Sequence, residues 1–191
     1  MVFAHSFIGV PITYYLIKNK PELWKEKFNL NLLFLIGIVG SVFPDFDLTL
    51  SFFVHDLNHR KLISHSIVPY LILFFINFLV FKTFKKNKEF YTRANLIFFV
   101  SVLIHLIIDL FVGGISLFAP FTSNIFGFDI YFDKSTNFFI SYLFSWYMFF
   151  ELIFIFYSTY FIFKFKNIIV NLILPFFFLL IACAMVLKYL N

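Results

Sequence analysis

Five histidines and six aspartates are scattered through a chain of 191 residues that is otherwise 62% hydrophobic and only 13% charged. Four sequence-distant pieces carry the groups able to do chemistry: His5, in Ala4-His5-Ser6; Pro44-Asp45-Phe46-Asp47; His59-Arg60-Lys61-Leu62-Ile63-Ser64-His65-Ser66; and His105-Leu106-Ile107-Ile108-Asp109. In the last, the i and i+4 spacing puts an imidazole and a carboxylate on one helical face. In the second, carboxylates at i and i+2 of a turn can both approach a cation, and Pro44 helps to stop the helix before it. Imidazole and carboxylate donors without thiolates suit Zn²⁺, Mn²⁺ or Fe²⁺ in a catalytic setting better than a structural zinc, which usually prefers cysteine. There are donors enough for one or two ions. A two-metal centre activates a water while binding a phosphoryl oxygen. Arg60 and Lys61 suit an anionic head group, Ser64 and Ser66 can orient ligands from behind, and Asp45 or Asp47 can act as general base.

Other polar groups read more simply. His55 is a polar anchor at the interface, and Asp56, Asp129 and Asp133 are loop charges facing water. Glu151 falls in the middle of an apolar run and reads as a protonated, hydrogen-bonded group within the bundle, the alternative being a proton path. The single cysteine, Cys183, permits no intrachain disulfide and reads as a small core residue.

The elements that must position these groups are membrane helices. With 35 phenylalanines and 25% aromatic residues, a soluble core would leave large apolar patches exposed. About 20 apolar residues span a bilayer; the stretches 66–84, 94–112, 138–163 and 168–189 satisfy this, and 3–17 and 29–43 are short, tilted spans. The expected fold is all-α: a polytopic membrane bundle of about six hydrophobic helices forming one domain, 1–191. The N-terminal stretch lacks a basic n-region and carries His5 and Pro11, so it reads as a retained span and not a cleaved signal.

The linkers sort by charge. Lys18, Lys20, Lys25 and Lys27 follow the first stretch, Lys82, Lys85, Lys86, Lys88 and Arg93 flank the turn after the third, and Lys164 and Lys166 follow the fifth. Six alternating crossings put all of these on one side, which the positive-inside rule assigns to the cytoplasm. The histidines and aspartates then gather at the extracytoplasmic face of the cytoplasmic membrane. The net charge of +5 reflects topology and implies no nucleic-acid partner, because the lysines are split among short membrane-flanking loops.

The order His5, Pro44-Asp45-Phe46-Asp47, His59-Arg60, Ser64-His65-Ser66, His105 to Asp109, Gly113-Gly114 and Pro120-Phe121 resembles the YdjM-type family of membrane-bound predicted metal-dependent hydrolases. The motifs cover residues 1–121, and the last two spans match only in hydrophobicity. The resemblance implies metal-site roles for His5, Asp45, Asp47, His59, His65, His105 and Asp109. Asp45 to His59 and His105 to Asp109 also resemble, more remotely, zinc-dependent phospholipase C and P1-type nucleases, but no histidine follows His105, so two ions fit better than three.

The expectation is a membrane-embedded metal-dependent hydrolase, a phosphoesterase acting on a lipid or lipid-linked phosphate, with one or two divalent ions, zinc first. The alternatives are a non-enzymatic protein that binds or transports a divalent cation, motivated by Glu151 and Asp109, and a structural protein whose His/Asp pairs only bridge helices.

Overall fold

The computed structural model describes residues 4–20, 27–52, 58–128 and 146–165. Five α-helices form there: α1 (Ala4–Ile17), α2 (Lys27–Val42), α3 (Ile67–Lys82), α4 (Lys88–Phe111) and α5 (Trp146–Phe165). Short 3-10 segments at Phe43–Phe52, His59–Lys61 and Ile63–His65 connect α2 to α3. Among the described residues no strand forms beyond the isolated bridge between Ile115 and Phe126. The stretch 168–189 with Cys183, residues 138–145, His55, Asp56, Asp129 and Asp133 lie outside the described residues, so the expected six spans reduce here to five helices.

Helix boundaries follow local chemistry. The α form of α2 ends at Val42, just ahead of Pro44, and the chain tightens into a 3-10 segment, because proline supplies no N–H for the helical ladder. Ser66 caps α3, accepting a hydrogen bond from the Val68 N–H at 3.2 Å. The described start of α4, Lys88, lies well before the expected 94: Glu89, Arg93 and their neighbours form a polar first turn that hydropathy alone leaves out. Among the described residues two runs are long and apolar enough to cross a membrane, Asn29–Asp47 and Lys88–Phe111; Phe7–Ile17, Ile67–Lys82 and Met148–Phe161 are shorter apolar helices.

Helix α1 packs against α2, α4 and α5, α2 packs against α4, and α3 lies against α4. The core between α1, α2 and α4 is built from Val10, Ile17, Leu33, Phe34, Ile38 and Ile97, with Phe161 of α5 closing it. The α1–α2 contact is tight. A Cβ added to Gly9 would lie 2.2 Å from the Gly37 carbonyl oxygen, and one added to Gly37 would lie 2.1 Å from Thr13 Oγ1. Small residues let helix backbones approach in this way where burial in lipid supplies little drive for association. Ile8, Ile12, Ile108 and Val112 form a second apolar cluster.

Helices α1 and α4 run antiparallel. Lys20, just beyond the end of α1, pairs with Glu89 at the start of α4 at 3.1 Å, and Arg93 joins Glu89 at 2.9 Å. At the other end the His5 ring lies beside that of His105, tilted by 33° with centroids 4.0 Å apart. The bundle thus has a basic end and a His/Asp end, separated between Glu89 and His105 of α4 by about 24 Å at 1.5 Å per residue.

Candidate metal centre

His105 and Asp109 project from one face of α4, and their separation by four residues brings Nε2 of the imidazole to 3.2 Å from Asp109 Oδ2. Nδ1 of His105 lies 2.7 Å from the carbonyl oxygen of Ser41, near the end of α2. A carbonyl can only accept, so Nδ1 carries a proton, and Nε2, aimed at the cluster, is the nitrogen left to ligate a metal.

His65 enters from the 3-10 turn ahead of α3. Its Nε2 lies 3.4 Å from Asp45 Oδ1 and 3.5 Å from Asp109 Oδ2, while its Nδ1 lies 3.3 Å from Asp47 Oδ2. The two aspartates therefore do not converge on one point. In a 3-10 segment, residues i and i+2 diverge by about 120°, so Asp45 reaches the inward nitrogen of His65 and Asp47 the outward one. Ser64 donates a hydrogen bond to Asp47 Oδ2, and Tyr70 donates to the Ser64 carbonyl at 2.7 Å, fixing the turn that carries His65. Burial opposes a charge on this imidazole, yet the hydrogen-bonded carboxylates of Asp45 and Asp47 outweigh it and push its pKa up to about 9.

Asp45, His65, His105 and Asp109 each offer a ligand atom, all within 4.8 Å of one another. His65 and His105 are fully buried and Asp109 is 2% exposed. His5 lies on the opposite side of the two carboxylates, its Nδ1 3.4 Å from Asp45 Oδ2 and its Nε2 3.9 Å from Asp109 Oδ1. Arg60 approaches Asp109 Oδ1 at 3.6 Å and donates to the Val112 carbonyl from Nη1 at 2.6 Å. Gly113, at φ +125°, makes room for this guanidinium: a Cβ there would be 2.7 Å from Nη1.

The donor set fits a divalent cation on two counts. Nε2 of His105 and both ring nitrogens of His5 are buried without hydrogen-bond partners among the described residues, which is costly for polar atoms unless something else engages them. Among the described side chains of the cluster, three carboxylates also face one guanidinium; without a metal a protonated His65 offsets one of the two remaining negative charges, and a divalent ion that displaces this proton meets both. Buried charge of that kind costs several kcal/mol per ion unless paired, and a single divalent ion balances it.

The remaining sequence candidates fall around this centre. His59 opens its own 3-10 turn, but its side chain lies outside the described residues. Lys61 is exposed and lines a cavity with residues of the loop after α4. The Ser66 hydroxyl caps α3 and lies 2.7 Å from the Ala119 carbonyl, so it ties that loop to the helix instead of touching a ligand. Glu151 of α5 is fully buried. Sequence reasoning missed Ser41, which acts through its backbone oxygen, and Tyr70, which acts on a backbone carbonyl six residues away; neither role leaves a signal in residue type. Gly9 and Gly37 were open to recognition as small residues on apolar helices.

A sequence model described as YdjM inner membrane protein matches residues 1–190 of the chain. No curated protein and no solved structure matches it.

Proposed function

Because the chain belongs to the YdjM inner membrane protein family, we propose that it is a multi-pass, metal-dependent hydrolase of the inner membrane, cleaving a phosphoester in a lipid or lipid-linked substrate at the extracytoplasmic face. The observation that carries this reading is the convergence of Asp45, His65, His105 and Asp109 beside Arg60, at the end of the bundle away from Lys20, Glu89 and Arg93.

A divalent cation held by these four side chains, zinc first by donor type with manganese or iron as substitutes, supplies Lewis acidity toward a phosphoryl oxygen and makes water a competent nucleophile at neutral pH. The chain supplies the rest. Asp47 and the Ser41 carbonyl hold the two imidazoles with Nε2 inward. Arg60 keeps N–H donors beyond its contacts with Val112 and Asp109, and these orient the phosphoryl group and offset its charge. Asp45 Oδ2 is turned away from His65 and His105 toward His5 Nδ1; it accepts the proton of the attacking water, and His5 shares it. The carboxylate that serves as base is thus Asp45, while Asp47 positions His65. The apolar faces of α3 and α5, with Phe75, Leu79, Phe149 and Phe156 exposed, face lipid and let a lipid substrate arrive laterally.

The test is metal analysis and hydrolysis of phospholipid and polyprenyl-phosphate by the full chain purified in detergent. The expected result is about one equivalent of divalent metal, with metal and hydrolysis lost together in His105→Ala and Asp45→Ala. A wild-type protein that retains no metal overturns the reading. Metal retained without hydrolysis, with uptake into proteoliposomes that depends on Glu151, favours a cation transporter instead.

A further inference from the structure

The loop that follows α4 forms a cavity of about 340 Å³ lined by Lys61, Ser116, Ala119, Pro120, Thr122 and Ser123. That volume lies within the range of small-ligand sites, and its polar lining is one ammonium and three hydroxyl side chains, with no carboxylate. Lys61 and Arg60 are neighbours in sequence with different surroundings. The Arg60 guanidinium is engaged by Asp109 and Val112, whereas among the described residues no carboxylate pairs with Lys61, whose side chain is exposed.

The cavity wall is tied to the metal centre through the backbone. The Ser116 N–H donates to the Arg60 carbonyl at 3.0 Å, and the Ser66 hydroxyl, one residue from His65, holds the Leu117 and Ala119 carbonyls at 3.0 and 2.7 Å. Around it the loop exposes aromatic and aliphatic side chains, Phe121 at 82% and Phe128 at 63%, with Phe118 and Ile125. In water such a rim would be an unfavourable apolar patch; at a head-group boundary aromatic rings are at home.

We propose that this cavity binds the anionic phosphate head group of a membrane lipid, Lys61 supplying the charge and the loop hydroxyls the hydrogen bonds, while Phe121 and its neighbours hold the loop in the acyl boundary. A phosphate monoester carries the oxygens that such donors take up, and the apolar rim selects the lipid-borne form over the free ion. As a subsite for the hydrolase substrate the cavity rests on the function proposed above; as a lipid site it stands on its own residues, none of which belongs to the four-ligand group.

The experiment is calorimetric titration of the full chain in detergent with dihexanoyl phosphatidic acid, dihexanoylglycerol and inorganic phosphate, each with and without EDTA. The expected result is saturable binding of the phosphatidic acid, weakened about tenfold in Lys61→Gln and retained in Lys61→Arg, with both variants keeping the wild-type Tm in EDTA as the check on folding. Binding that survives EDTA separates this site from the metal centre, so loss of the hydrolase reading leaves it intact. Equal affinity of wild type and Lys61→Gln overturns the proposal, as does equal affinity for dihexanoylglycerol. Inorganic phosphate binding as tightly as the lipid overturns the lipid assignment.

Discussion

Asp47 and His105 differ in how they serve the same centre, and their variants should separate. His105 points Nε2 into the cluster, whereas Asp47 meets His65 at its outward nitrogen and accepts a hydrogen bond from Ser64. Removing an orienting carboxylate typically weakens metal affinity by about 10–100-fold, so Asp47→Ala should retain weakened binding in competition with a chromogenic chelator while His105→Ala retains none. Equal loss in both would make Asp47 a direct ligand. His65 adds a pH dependence. Its pKa rises from 6.5 to about 9 in the metal-free fold, so the folded state binds the proton more tightly than the unfolded one. The resulting stabilisation is fully present below about pH 6.5 and is lost as pH rises through about 9. Metal competes with that same proton, so its affinity strengthens over this interval. Thermal melts of chelated protein should therefore fall in Tm from pH 6.5 to 9, and the increment added by metal should grow; a chelated Tm flat across this range would contradict the carboxylate environment of His65.

Elements matter through how closely they approach. His5 meets Asp45 only because α1 lies against α2 at Gly9 and Gly37, where a methyl group would sit within 2.2 Å of a backbone oxygen on one side and 2.1 Å of a hydroxyl on the other. Gly9→Val should cost about 1–3 kcal/mol or more by overpacking, lowering Tm in metal-loaded and chelated protein alike. Ligand variants such as His105→Ala should instead lose mainly the metal-dependent increment, since a bound ion stabilises only the state that binds it. Identical melting shifts from the two kinds of variant would remove the distinction between scaffold and site. The helices themselves were legible from hydropathy and the stop at Pro44 from residue type, whereas Ser66, read from the sequence as orienting ligands, instead caps the start of α3. The start of α4 at Lys88 was not legible, because its first turn is held by charged pairs that an apolar window discards.

At the scale of the molecule, charge asymmetry has become an axis. Lys20, Glu89 and Arg93 cluster at one end of the antiparallel α1–α4 pair, and His5, His105 and Asp109 at the other. If the lysine-rich end is cytoplasmic, as the positive-inside rule expects, then in a Cys183→Ser background an impermeant maleimide applied to intact cells should label Ser123→Cys and not Lys86→Cys. Labelling of the latter alone would invert the orientation and place the chemistry in the cytoplasm.

By itself the sequence determined that the chain lives in lipid, that its helices are apolar runs broken by basic turns, and that its few imidazoles and carboxylates are too costly in that solvent to be incidental. It also singled out His5, Asp45, Asp47, His59, His65, His105 and Asp109, since scarcity makes each such group conspicuous, and the fold brings Asp45, His65, His105 and Asp109 of these together. Tertiary structure decided how they divide the work. Whether an aspartate faces the inward or outward nitrogen of His65 depends on the 3-10 twist after Pro44, and whether Arg60 or Lys61 reaches Asp109 depends on the path of the loop past Gly113. Those are facts of direction, and direction in a folded chain is set by packing between segments far apart in sequence, which residue type and spacing do not encode locally.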